Sequence, residues 1–165
     1  MHRTKWFDRK FAPIEDGGRL PTILERLAGT PARLHAMLAE GEPAVDAGAG
    51  WSVAKEIGHL GDLEPLWLQR VRDLVEGRAD LAPADLQNRA THDADHDAIS
   101  LPQLVARFDT ARRALVDAMR SLSDDDLERF ARHPRLGTPM RVVDLAYFVA
   151  EHDDHHLARL RELLQ

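Results

Sequence analysis

The stretch Phe148-Val149-Ala150-Glu151-His152-Asp153-Asp154-His155-His156-Leu157 decides how this chain is read. Val142, Leu145, Val149, His152, His156, Arg159 and Leu163 follow one another at intervals of three and four, the spacing of one stripe on an α-helix. Two histidines therefore occupy stripe positions one turn apart, where their imidazoles share a face and can reach one metal ion. His155 is also close to His152, but its heptad-equivalent positions are Arg141, Phe148 and Glu162, a mixed flank. His156 aligns with Val142, Val149 and Leu163 and is the better inward-facing candidate.

Working outward, a second amphipathic segment carries a third histidine. Trp51-Ser52-Val53-Ala54-Lys55-Glu56-Ile57-Gly58-His59-Leu60-Gly61-Asp62 opens a helix with Ser52 as N-cap. Val53, Ile57, Leu60, Leu63, Trp67, Val71 and Leu74 continue the pattern to about Glu76, where Gly77 ends it. Pro65 interrupts the segment and predicts a bend. Gly58 and Gly61 flank His59 and each weakens a helix by up to about 1 kcal/mol relative to alanine, which points to close backbone approach or room for a ligand. Glu56 and Asp62 stand three residues either side of His59, placed to orient an imidazole or accept a proton. His59, His152 and His156 meeting inside a helical bundle make an open three-ligand site of the catalytic kind, suited to zinc, nickel or ferrous iron.

The remaining segments also read as helix. One is expected over Leu20 to Glu40, with a break or kink at Gly29-Thr30-Pro31. A loop is expected from Gly41 to Gly50. Residues 78–99 form a long connection with a short helix near Pro83 to Asn88, and a capping box at Ser100-Leu101-Pro102-Gln103 opens the third long helix, buried through Leu104, Phe108, Leu115, Met119 and Leu122. A short helix capped by Ser123 follows, and Thr138 and Pro139 are expected to cap and start the last helix, which runs to about Leu164. No segment alternates with period two, so no strand is expected. Residues 1–19 read as an irregular lead-in whose Trp6, Phe7 and Phe11 pack on the bundle. Asp153 and Asp154 read as a solvated face, His92 and His96 as a solvated pair in a polar loop, and His35 and His133 as ordinary surface or half-buried residues.

Composition narrows the chemistry. The chain has 165 residues, 44% of them hydrophobic and 30% charged, which fits one domain over residues 1–165 with a real core. A formal net charge of −6 without a basic stripe argues against nucleic acid. No apolar run approaches the roughly 20 residues of a membrane helix, and the N-terminus lacks a secretory signal, so the expected setting is cytoplasmic and free of membrane. The absence of cysteine excludes disulfides and an enzyme-borne thiol nucleophile.

The motif Trp51-Ser52…Glu56…His59-Leu60…Asp62, followed some ninety residues later by Glu151-His152…His156, resembles the DinB/YfiT-like superfamily (DinB-like domain), a group of proposed metalloenzymes. Lys5-Trp6-Phe7…Arg9-Lys10-Phe11 and Glu25-Arg26-Leu27…Gly29-Thr30-Pro31-Ala32-Arg33-Leu34 resemble it too, so the likeness spans nearly the whole chain. The resemblance implies an all-α four-helix bundle running up-down-down-up, in keeping with the long link between helices two and three. It implies a divalent metal, often nickel or zinc, on His59, His152 and His156, and a homodimer in many members. It also implies, for some members, thiol-dependent transfer using bacillithiol, mycothiol or a related low-molecular-weight thiol.

With no thiol of its own, the chain is expected to act as a metal-dependent S-transferase on a small-molecule substrate. Glu56 or Glu151 would serve as a base beside the ligands. A metal-dependent hydrolase and a non-catalytic metal-binding stress-response protein are the alternatives.

Overall fold

A computed structural model of the chain describes residues 4–41, 43 and 50–164. Four long helices form the bundle: α1 (Leu20–Glu40), α2 (Val53–Val75), α4 (Leu101–Arg120) and α6 (Val142–Leu163). Two one-turn helices, α3 (Arg89–Asp93) and α5 (Asp124–Glu128), lie in the connections. A minimal hairpin, unforeseen from the sequence, pairs β1 (Ala131–Arg132) with β2 (Pro139–Met140). No helix among the described residues is long and apolar enough to cross a membrane.

The direction of each helix follows from which side chains meet. Gly61 lies beside Phe108, and Glu64 binds Arg112, so α2 and α4 run parallel. Arg26 and Thr30 bind Glu151 and Asp153 in rising order, so α1 and α6 run parallel. Glu56 meets His156 and Trp67 meets Phe148, so α2 and α6 run antiparallel. The order is up-down-down-up. The chain from Gly77 to Ser100 carries α2 back to the start of α4, as two parallel neighbours require.

Local signals account for most boundaries. Ser52 accepts a hydrogen bond from Lys55 N at 3.1 Å, and Gly77 ends α2 with φ +69°. Ser123 and Asp126 form a reciprocal capping box. Other expectations fail for identifiable reasons. Pro31 does not break α1, which is continuous across it. Proline lacks the N–H that would bind the Leu27 carbonyl, and Arg112 Nη1 donates to that carbonyl instead at 3.2 Å. Thr30 is not a cap, because its hydroxyl donates to Asp153 at 2.7 Å. The short helix after α2 forms at Arg89–Asp93 rather than Pro83 to Asn88. Ser100 binds the Gln103 side chain rather than a backbone N–H, so no capping box forms there. Thr138 and Pro139 belong to the hairpin, Pro139 opening β2, and α6 starts at Val142 with Asp144 accepting from Arg141 N at 2.8 Å. Trp6 and Phe11 pack on Phe148, but Phe7 is 56% exposed. The loop expected over 41–50 lies largely outside the described residues.

Two apolar clusters fill the bundle. One holds Leu24, Leu27, Trp67, Val71, Leu115 and Leu145; the other holds Leu34, Ile57, Leu60, Val105, Phe108 and Leu160. Between them lies a polar layer contributed by all four helices: Thr30, Glu64, Arg112, His152, Asp153 and His156, each buried. Asp153 is therefore not solvated. It shares the Arg112 guanidinium with Glu64, which accepts from Arg112 Nη2 at 2.7 Å. Burial opposes the Arg112 charge, but Asp153 and Glu64 outweigh it and hold the guanidinium above its ordinary value. Asp154, half-buried, binds Arg26 and Arg33.

Candidate metal centre

The antiparallel packing of α2 and α6 brings His59 against His152 and His156. One ring nitrogen from each of the three lies within 4.8 Å of the others, and all three residues are at least nine-tenths buried. The Nε2 atoms of His152 and His156 are 3.2 Å apart, close to the edge of a tetrahedron, about 3.3 Å, that bonds of ~2.0 Å to one ion would give.

Hydrogen bonds set which nitrogens point inward. His156 donates through Nδ1 to Glu56 Oε2 at 2.6 Å, leaving Nε2 as a lone pair. The Thr91 hydroxyl donates to Asp62 at 2.7 Å, so it accepts from His59 Nδ1 at 2.9 Å, and His59 Nε2 is also a lone pair. The buried Nδ1 of His152 has no partner among the described residues. Burial first, and the neighbouring histidine His156 next, push His59 down to about 3. The same two causes hold His152 well below its ordinary value. Both rings are neutral at physiological pH, the form that binds metal.

Three tryptophans surround the cluster. Trp51 lies 4.8 Å from His59 between ring centres, Trp6 lies 5.1 Å from His152, and Trp67 lies 5.6 Å from His152. A cavity of about 630 Å³ opens from the histidines toward Arg70, His133 and Arg135, with Leu63, Trp67 and Phe148 on its wall. The fit to a divalent cation is good: three imidazole nitrogens, two of the rings oriented by a carboxylate and a hydroxyl, at the end of an open pocket.

The residues singled out in the sequence are placed unequally. His59, His152 and His156 come together, and Glu56 joins them as the acceptor of His156 Nδ1–H. Glu151 does not: it lies on another face of α6, bound to Arg26 at 2.7 Å and Arg9 at 3.4 Å. Asp62 reaches His59 only through Thr91. His155, half-buried, packs on Trp6 and His156. His96, expected in solvent, is 6% exposed and donates to Asp62 at 2.9 Å. Its ring lies so close to Gly58 that a Cβ there would stand 2.4 Å away. Gly58 thus serves close approach, whereas Gly61 has only Phe108 at 4.0 Å. His133, expected near the surface, is 2% exposed and lines the far end of the cavity. Thr91 was overlooked, since a lone threonine 32 residues from His59 carries no local signal. His35 and His92 are exposed, as expected.

Comparison with known proteins agrees with this architecture. The chain is similar to YuaE of Bacillus subtilis (strain 168), an uncharacterized protein, with 26% identity over 125 residues, or 68% of this chain and 76% of YuaE. Its fold is similar to that of YfiT from Bacillus subtilis, with a TM-score of 0.72, 21% identity and coverage of 93% of this chain and 91% of the other. YfiT is described as a probable metal-dependent hydrolase with an unusual four-helix bundle topology. The sequence pattern that defines the DinB superfamily matches residues 44–160, and the chain belongs to that superfamily.

Proposed function

We propose that this chain is a divalent-metal-dependent enzyme that activates a small nucleophile against an electrophile held in the cavity. The observation that carries the reading is the set of three buried, inward-facing imidazoles at the end of an accessible pocket. A divalent cation bound there would supply Lewis acidity and make a nucleophile available near neutral pH. The protein's part is to hold three nitrogens in register, keep His156 oriented through Glu56, and wall the cavity beside them with Trp6, Trp51 and Trp67.

Hydrolysis is the reaction favoured, in line with the description of YfiT. Its proton acceptor is Glu56, which lines the cavity and has one oxygen on His156 Nδ1. Thiol transfer is the second reading, and one observation favours it. Glu56 already accepts from His156 Nδ1 through one oxygen, so a nucleophile acidic enough to ionise with little help from a base also suits the site. With no cysteine in the chain, that thiol must come as a co-substrate.

Zinc- or nickel-loaded untagged protein should turn over 4-nitrophenyl esters, with His156→Ala inactive and metal-poor. Turnover only when bacillithiol or mycothiol is added would transfer the assignment to S-transfer. Equal rates for wild type and His156→Ala in both assays would end the enzyme reading.

A further inference from the structure

The far end of the cavity is built differently from the histidine end. Arg70 is 1% exposed. Its Nε donates to the Ala82 carbonyl at 2.9 Å, and Nη1 lies 3.1 Å from His133 Nε2. Its Cζ lies 5.2 Å from the Trp67 ring centre. His133 turns its other nitrogen to the backbone N–H groups of Arg135 and Leu136, both at 3.2 Å. Arg135 Nη1 donates to the Phe7 carbonyl at 3.1 Å, while Nη2 is buried and has no hydrogen-bond partner among the described residues.

Neither guanidinium forms an ion pair with a carboxylate among the described residues. The acids nearby are engaged. Asp73 accepts from Gln69 and from Ala82 N at 3.0 and 2.7 Å, and Asp85 holds Arg89 and the N–H of Gln87. Arg9, Arg26 and Arg33, on other surfaces, all face carboxylates. Burial, with Arg135 adding to it, pushes Arg70 down to about 10 despite Asp73, and burial lowers Arg135 as well. His133 is driven down to about 3 by burial and by the charges of Arg70 and Arg135. Arg70 and Arg135 thus stand with a neutral imidazole on one cavity wall, and Arg135 Nη2 keeps a donor that a charged acceptor could take.

The two ends are within reach of one small molecule. Trp67 touches both: Arg70 Cζ at 5.2 Å and His152 at 5.6 Å from its ring centre, so they are at most about 11 Å apart. Leu63, Trp67 and Phe148 form the apolar wall between.

We propose that the cavity takes an amphipathic organic anion, with its carboxylate or phosphate head group on Arg70 and Arg135, an apolar body against Trp67 and Phe148, and its reacting group at His59, His152 and His156. This assignment of substrate class rests on the metal-enzyme reading for the last of these contacts, but not for the first two.

The test is tryptophan-fluorescence titration of full-length protein with 3-phenylpropanoate, phenyl phosphate and the neutral 3-phenylpropanamide. Wild type, Arg135→Gln, Arg135→Lys and His156→Ala are compared, with folding checked by circular dichroism. At least one anion should bind about tenfold or more tightly than the amide, the value of one charge-assisted contact. The tighter anion identifies the head group. Arg135→Gln should abolish the preference and Arg135→Lys should keep part of it. His156→Ala should keep it fully, since the anion end does not involve the metal. A preference absent from wild type overturns the proposal. So does one that survives Arg135→Gln and vanishes in His156→Ala, because the anion would then sit on the metal. If the preference persists while no substrate is turned over, the enzyme reading fails and the anion site stands.

Discussion

Replacing Arg112 by methionine should be the most damaging single change outside the metal cluster. Arg112 is 1% exposed, and its guanidinium serves both Glu64 and Asp153, at 2% and 1% exposure, as well as the Leu27 carbonyl freed by Pro31. Methionine fills much of the volume but leaves two buried carboxylates and one buried carbonyl without a donor. Breaking a buried pair costs about 3–5 kcal/mol, and two acids losing one cation puts this site at the upper part of that range. For a chain of this size the loss corresponds to a Tm drop of roughly 6–20 °C, at about 2–4 °C per kcal/mol.

The sign of the pH effect is also determined. Burial already pushes the Glu64 carboxyl up to about 7 with Arg112 in place. Without the cation the Glu64 carboxyl rises further above its unfolded value. The variant's folded state then takes up protons that its unfolded state does not, so its deficit should narrow as pH falls from 7 toward 5. Urea unfolding followed by circular dichroism at both pH values measures this. A loss below about 1 kcal/mol at pH 7, or a deficit that widens on acidification, would refute the account of a buried three-residue clip. Because Asp153 follows His152 on α6, zinc affinity should fall together with stability.

Three other outcomes are expected. Glu56→Gln should weaken zinc binding about 10–100-fold while leaving the fold intact, measured by chelator competition with tryptophan fluorescence as the signal. Gly58→Ala should lose roughly 1–3 kcal/mol because its Cβ would meet the His96 ring at 2.4 Å, whereas Gly61→Ala should be neutral or gain up to about 1 kcal/mol, both read from urea midpoints. His133, neutral in the fold down to about pH 3, is protonated in the unfolded chain below about 6.5. Stability should therefore fall on acidification through that window, by up to about 1.4 kcal/mol per pH unit from this one group. His133→Gln should make the slope shallower by that amount, and identical slopes would count against a buried neutral ring.

Much of the bundle was legible in the chain because its determinants are local. Four apolar stripes of helical period, the Ser52 and Ser123 caps and the Gly77 stop each depend on residues within a few positions, and they mark elements where they occur. The histidine stripe was visible for the same reason. At Ser100 the helix starts where the sequence places it, but the capping box is lost because the side chain binds Gln103; at Thr138 the expected start gives way to a hairpin.

The sequence by itself determined which faces of the helices turn inward and that His59, His152 and His156 lie on them. Only the tertiary structure decided that the three meet, that Thr91 and Glu56 set two of their tautomers, and that Asp153, His96 and His133 are buried. It likewise sent Glu151 to Arg26 and set two arginines, neither in a salt bridge among the described residues, at the far end of the cavity. The reason is physical: periodicity is written in neighbours three or four residues apart, while burial of a charge depends on partners tens of residues away that only packing can supply.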